Sequence, residues 1–207
     1  MKIRTLCTIA LLFTSFAASA KGPTGLGKLE IGMSKDTVEA LTANDDVYLS
    51  TPMTPYEHKN STPIPGEDKF NTLLVSPISS KPLKTVLTFS GNSLKSIYIT
   101  LEDASRMLDE VKELITSKYG EPKVENSMKE EQCLYKNGAN FKLSSGAIRY
   151  QWTQERPTAE KVEATLSDIV VDTCPSNLRY SMGAFKLRNL SIGVALPKSE
   201  KKQVNPF

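Results

Sequence analysis

Two short turn signals, Gly91-Asn92 and Asn137-Gly138, stand between β-rich runs. They constrain the chain more than any other feature, because a two-residue turn of this kind joins its flanking strands antiparallel. Residues 84–90 and 93–101 flank the first turn, with Phe89 and Leu94 placed to face each other across it. Residues 133–136 and 141–143 flank the second. Further on, Ile148, Tyr150 and Trp152 alternate with Arg149, Gln151 and Thr153, and Val162, Ala164 and Leu166 repeat the same period of two. Both are patterns of strands with one wet face. In the last run Phe185 and Leu187 give way to Leu190, Ile192 and Val194, and the change of phase at Asn189 predicts a bulge.

Two helices interrupt this pattern. After Leu29 and Ile31 the chain turns at Gly32-Met33, where Ser34 is the expected N-cap, Asp36 sits in the first turn, and Met33 can pack on Val38 as a staple. With only Val38, Leu41 and alanines on its apolar face, this helix is short. A longer helix, capped by Asp103 or Ser105, carries Met107, Leu108, Val111, Leu114, Ile115 and Tyr119 at helical spacing and stops before Gly120 and Pro122. The fold expected from these elements is α+β: an antiparallel sheet with a short N-terminal helix and one longer helix packed on one face. Between residues 50 and 66, Pro52, Pro55, Pro63 and Pro65 disfavour both helix and central strand, so a long proline-rich loop is expected there.

The N-terminus reads as a secretory leader: Lys2 and Arg4, an apolar stretch from Leu6 to Ala18, then Ala18-Ser19-Ala20 as a cut site. Cleavage after Ala20 leaves a single domain over 21–207, with a polar, flexible tail over 198–207, in the periplasm or outside the cell. Lys21 stands where a lipid anchor needs cysteine, and the leader's apolar run is too short to span a bilayer, so no transmembrane segment is expected in the mature chain. The chain carries 26 Lys and Arg against 23 Asp and Glu; Lys2 and Arg4 leave with the leader and no acid does, so its charge of +3 falls to +1. Nucleic acid is a poor fit to that balance. Cys7 also leaves, and Cys133 with Cys174 remain as an even pair in an oxidising compartment, where a disulfide is expected.

Motifs with chemistry are scarce. Gly22-Pro-Thr-Gly-Leu-Gly-Lys28 has the glycine and lysine spacing of a phosphate loop, but Leu29 follows where a Ser or Thr must reach magnesium, and no strand precedes it. The reading is a flexible mature N-terminus. His58 is the sole histidine, among Pro55, Tyr56 and Glu57, and no nucleophile motif accompanies it. The adjacent acids Asp45-Asp46 and Glu130-Glu131 read as surface residues. No catalytic residue, metal site or cofactor is therefore expected. Tyr150 and Trp152 share a strand face that Tyr98 could extend, and Tyr56 and His58 lie near the middle of the proline-rich loop. Tyr56, His58, Tyr150 and Trp152 are the candidate partner-binding residues, since aromatic anchors on a preordered surface bind with less ordering cost, while core is the usual fate of a face such as that of Tyr150 and Trp152.

The run Leu29-Glu-Ile-Gly-Met-Ser-Lys-Asp-Thr-Val-Glu-Ala-Leu41, with Gly91-Asn-Ser-Leu-Lys-Ser-Ile97 downstream, resembles a pattern of small exported bacterial proteins. It is similar to the β-lactamase-inhibitor-protein-like fold, shared with the small lipoprotein of the outer-membrane β-barrel assembly machine. The chain departs from that lipoprotein in lacking its lipidated cysteine and in carrying the proline-rich insertion. The resemblance implies a helix layer on an antiparallel sheet and a binding role, with no catalytic residues to carry over. The expected function is a non-enzymatic exported module that binds another protein, as an inhibitor, an immunity factor or an envelope assembly accessory. The alternatives are a carrier of a small apolar or lipid-like ligand between helix and sheet, or a periplasmic hydrolase.

Overall fold

The computed structural model describes residues 22–57, 63–101, 105–134, 137–155, 161–172, 174 and 185–195. The expected leader over 1–20, His58, Asp103 and the expected tail over 198–207 lie outside them. Strands account for 58% of the described residues, and only one of the two helices exceeds seven residues. The fold is therefore mainly β, which corrects the α+β expectation. Helix signals are local and easily read, whereas several strands here are defined by distant partners, so a sequence reading undercounts the sheet.

The chain begins with a small hairpin, β1 (Gly25–Leu26) and β2 (Leu29–Glu30), where a flexible N-terminus was expected. Leu29 is fully buried and anchors it. Helix α1 (Lys35–Glu39) follows, capped as expected: the Ser34 hydroxyl accepts a bond from the Thr37 N–H at 3.2 Å. Then come β3 (Tyr48–Leu49), β4 (Thr54–Pro55), β5 (Glu67–Ser76), β6 (Ser79–Ser90) and β7 (Ser93–Leu101). Helix α2 (Ser105–Tyr119) leads into β8 (Lys123–Asn126), β9 (Lys129–Leu134), β10 (Asn140–Glu155), β11 (Lys161–Val171) and β12 (Phe185–Val194).

All but the first two strands join one ten-stranded sheet in the order β3-β5-β6-β7-β12-β11-β10-β8, with β4 added on β5 and β9 on β10. Every pairing is antiparallel. Each half of the chain thus supplies a helix and a three-stranded meander, β5-β6-β7 or β10-β11-β12, and the last strands of the two meanders meet in the middle of the sheet. The predicted turn at Gly91-Asn92 has both residues at positive φ, 55° and 62°, which matches a type I′ turn and sets Phe89 opposite Leu94. In β10, Gly146 marks the change from β9 as neighbour to β8; a Cβ there would lie 2.8 Å from Met128 Cα, so only glycine allows the approach.

One face of the sheet is apolar and carries both helices. Leu87, Ile97, Ile99, Leu190, Ile192, Leu166 and Ala164 form a continuous floor, on which Leu108, Val111 and Ile115 of α2 and Val38 of α1 close. Leu114 falls off that stripe and is 44% exposed. Fully burying each such aliphatic side chain contributes about 1.5–3 kcal/mol. The expected bulge at Asn189 is absent, because β12 keeps an unbroken register with both neighbours. The phase changes for another reason: Leu187 points to the opposite face beside Ile169, while Leu190 and Ile192 point to the core.

The disulfide Cys133–Cys174 is formed, with Cα atoms 5.4 Å apart, and ties the edge strand β9 to the segment after β11. Both cysteines are buried. In the chain-entropy model a closed loop of this size stabilises the fold by about 4 kcal/mol. Among the described residues no helix is long and apolar enough to cross a membrane.

Candidate functional site

Alternation along each strand sends every second residue to the face opposite the helices, and that face is mostly polar, with Leu73, Val86, Ile169 and Leu187 among its residues. One row, read from pair to pair, runs Asn71, Val86, Tyr98, Ser191, Thr165 and Gln151. Beside it Thr100 stands opposite Asn189, Asn189 opposite Ser167, and Ser167 opposite Arg149. Among the described residues no helix packs on this face.

At its β5-β6-β7 end the face carries a cavity of about 640 Å³. Val86, Tyr98 and Thr100 are its floor, with Asn71, Leu73 and Lys84 beside them. The wall is the start of the proline-rich stretch, which is not the free loop expected but is stitched along β5. Ser50 N–H donates to Leu73 O at 2.8 Å, Leu73 N–H to Thr51 Oγ1 at 2.9 Å, and Tyr56 N–H to Lys69 O at 2.8 Å. Pro55 fits here because β4 pairs on one side only, so its missing N–H breaks no ladder. Tyr56, 38% exposed, is thereby held on the rim above Tyr98. Burial pushes the Tyr98 phenol above the ordinary tyrosine range, with the neighbouring Tyr56 adding to the shift. Tyr98 is therefore a neutral hydroxyl at any physiological pH, able to donate and accept.

The four candidate binding residues do not come together. Tyr150 and Trp152 lie on the opposite, helix-covered face. Trp152 is 3% exposed, and its indole N–H donates to Gly120 O at 2.8 Å, fastening the end of α2 to the sheet. Tyr150 is half-buried, with the Lys112 ammonium 5.2 Å from its ring centroid. His58 lies outside the described residues. Tyr56 remains, and its aromatic neighbour is Tyr98, which belongs to the opposite face from Tyr150. The signal for this was the strand period at Tyr98 together with the period at Tyr150; pairing register alone could relate the two.

The remaining charged groups are mostly engaged. Lys28, of the phosphate-loop-like run, bonds Asp45 at 2.8 Å, and Asp46 accepts from the Lys28 N–H. That ion pair holds the half-buried Asp45 carboxyl below and the exposed Lys28 ammonium above their ordinary ranges. Glu130 pairs with Lys142. Glu131 approaches Cys133 and Cys174, but their sulfurs are bonded to each other and are not thiolate ligands. Arg188 and Asp168, 3.0 Å apart, form a largely buried pair at the margin of the helix-covered face. On the polar face the strands present Lys69, Lys84, Lys123, Arg149 and Lys161 against Glu67, Glu125 and Glu163.

A second cavity lies between α2 and the sheet, lined by Leu114, Ile115, Tyr119, Ala164, Leu190 and Ile192 among others. Its volume is about 140 Å³, under half of the roughly 300 Å³ at which small-molecule pockets begin. It does not favour the lipid-carrier alternative. No family model, curated protein or solved structure matches the chain.

Proposed function

We propose that this chain is a non-enzymatic, exported protein-binding module that meets its partner with the polar face of the sheet, centred on the Tyr56–Tyr98 cavity. The observation that carries the reading is the division of labour between faces. Both helices are committed to the apolar side, while the other side offers an aromatic-rimmed hollow on a rigid antiparallel platform. Tyrosines on a fixed backbone supply contact area and hydrogen bonds with little entropy to lose, which is what an interface anchor requires. The tyrosine-bearing wall is already tied to β5, so binding need not order it. The leader ending Ala18-Ser19-Ala20 and the Cys133–Cys174 bond support an oxidising compartment, periplasmic or extracellular. The resemblance to β-lactamase-inhibitor-protein-like proteins points the same way, toward binding rather than catalysis.

Site-specific photo-crosslinking in the exporting cell tests this. With p-benzoylphenylalanine in place of Tyr56 a discrete protein adduct is expected, and with the same group in place of the exposed Asp109 on α2 none is. Adducts of equal yield from both positions, or none from Tyr56, would rule the reading out.

A further inference from the structure

Resting on that reading, we infer that the partner segment accepted by the polar face is acidic and extended, lying across the strands from Lys84 to Arg149. The row between them is Thr100, Asn189 and Ser167, on adjacent strands β7, β12 and β11. Asn189 is 7% and Ser167 5% exposed, yet neither side chain has a hydrogen-bond partner among the described residues. Neither is sealed off as Ser76 Oγ is, which among the described residues is fully buried without a partner. Their polar atoms therefore keep a small contact with solvent on the polar face. An amide in that position, with donor and acceptor both unused, matches a peptide group of a bound chain, because leaving it unpaired at a dry interface would cost affinity.

Charge sets the ends. Lys84 lines the cavity beside Thr100 and makes no ion pair among the described residues. Arg149, opposite Ser167, likewise makes none; Glu125, its neighbour on β8, is held by Lys123 at 2.8 Å, so this trio leaves one positive charge. Glu163 is engaged by the Thr165 hydroxyl and lies four residues along β11 from Ser167. Lys84 and Arg149 are separated by four strand spacings, about 19 Å on a flat sheet, the reach of about six extended residues. A segment with carboxylates about six residues apart would satisfy both cations while its backbone passes over Asn189. Basic segments would meet like charge at both ends, which costs affinity and gives the face its selectivity.

The test uses the full-length exported protein, isotope-labelled for NMR. The probes are the peptide acetyl-Glu-Gly-Ser-Gly-Ser-Gly-Glu-amide, the same peptide with Lys for Glu, and a short alginate oligosaccharide as a non-protein polyanion. The acidic peptide should shift the amide signals of Thr100, Ser167 and Asn189, and its affinity should fall about fivefold or more on Lys84→Glu or on Arg149→Glu, and as salt rises. Asn189→Asp, nearly isosteric, should weaken it similarly; unchanged signals elsewhere certify that each variant is folded. Equal binding of the lysine peptide, equal or tighter binding of alginate, or charge reversals without effect would overturn the inference. If these fail while the crosslink from Tyr56 persists, the acidic partner is wrong and the polar-face reading stands; loss of the crosslink removes both.

Discussion

The two faces of the sheet are made from alternate residues of the same strands, and they do opposite things. On β12, Leu190 and Ile192 are buried under α2, while Asn189 and Ser191, their immediate neighbours, face the polar side. On β7, Ile97 and Ile99 face the core and Tyr98 between them lies in the floor of the cavity. The apolar face is closed by two helices and a hairpin, so its side chains answer to packing. Its polar counterpart carries no helix among the described residues, so under the proposed function its side chains answer to recognition. Adjacent positions should therefore respond to mutation in different currencies, stability on one side and binding on the other.

The sharpest break in that contrast would come from β12. Leu190→Ala, at a fully buried site, should lower unfolding free energy by about 2–5 kcal/mol, whereas Ser191→Ala one residue on should stay within about 0.5 kcal/mol. Urea denaturation of both variants measures it, and comparable losses would mean that the polar face is also a packing surface. A smaller effect is expected at Trp152. Trp152→Phe keeps most of the ring's burial but strips Gly120 O of its donor, for a loss of about 1–3 kcal/mol; a loss of binding instead of stability would return this residue to the recognition surface. The smallest effect belongs to Tyr98. Its phenol is held above the ordinary range by burial, so its contribution is fully present below the unfolded tyrosine value near pH 10 and is lost as pH rises through the folded value. Stability of the wild type should thus fall more steeply in that alkaline window than that of Tyr98→Phe, and absorbance titration should show one late-ionising tyrosine fewer in the variant. Identical alkaline profiles would place Tyr98 in open solvent.

Parts of this division were legible in the chain itself. The Gly91-Asn92 turn, the Ser34 cap, the α2 stripe of Leu108, Val111 and Ile115 and the Cys133–Cys174 pair are all carried by local spacing or by a simple count, and the structure agrees with each. The strand β5 was not legible, although it is central to the cavity. Its pattern, with Phe70, Leu74 and Val75 among polar residues, becomes a strand only by pairing with β6 on one side and with β3 and β4 on the other. Likewise the proline-rich stretch reads as loop, because composition reports what proline prevents and not which edge is free to receive it.

The sequence by itself determined the Gly91-Asn92 hairpin, the start of α1, the end of α2 before Gly120, and the covalent staple, since each rests on residues near in sequence or on cysteine number. Only the tertiary structure decided which face each alternating strand turns to the helices. Period two separates two sides without naming them, and the register shift between Thr88 and Phe89 upsets even that: Leu94 and Ile97, three apart, are both buried. A register is fixed by the whole sheet at once. That is why Tyr98 and Tyr56 share a hollow while Trp152 serves the core and Tyr150, on the same face, packs half-buried against its edge.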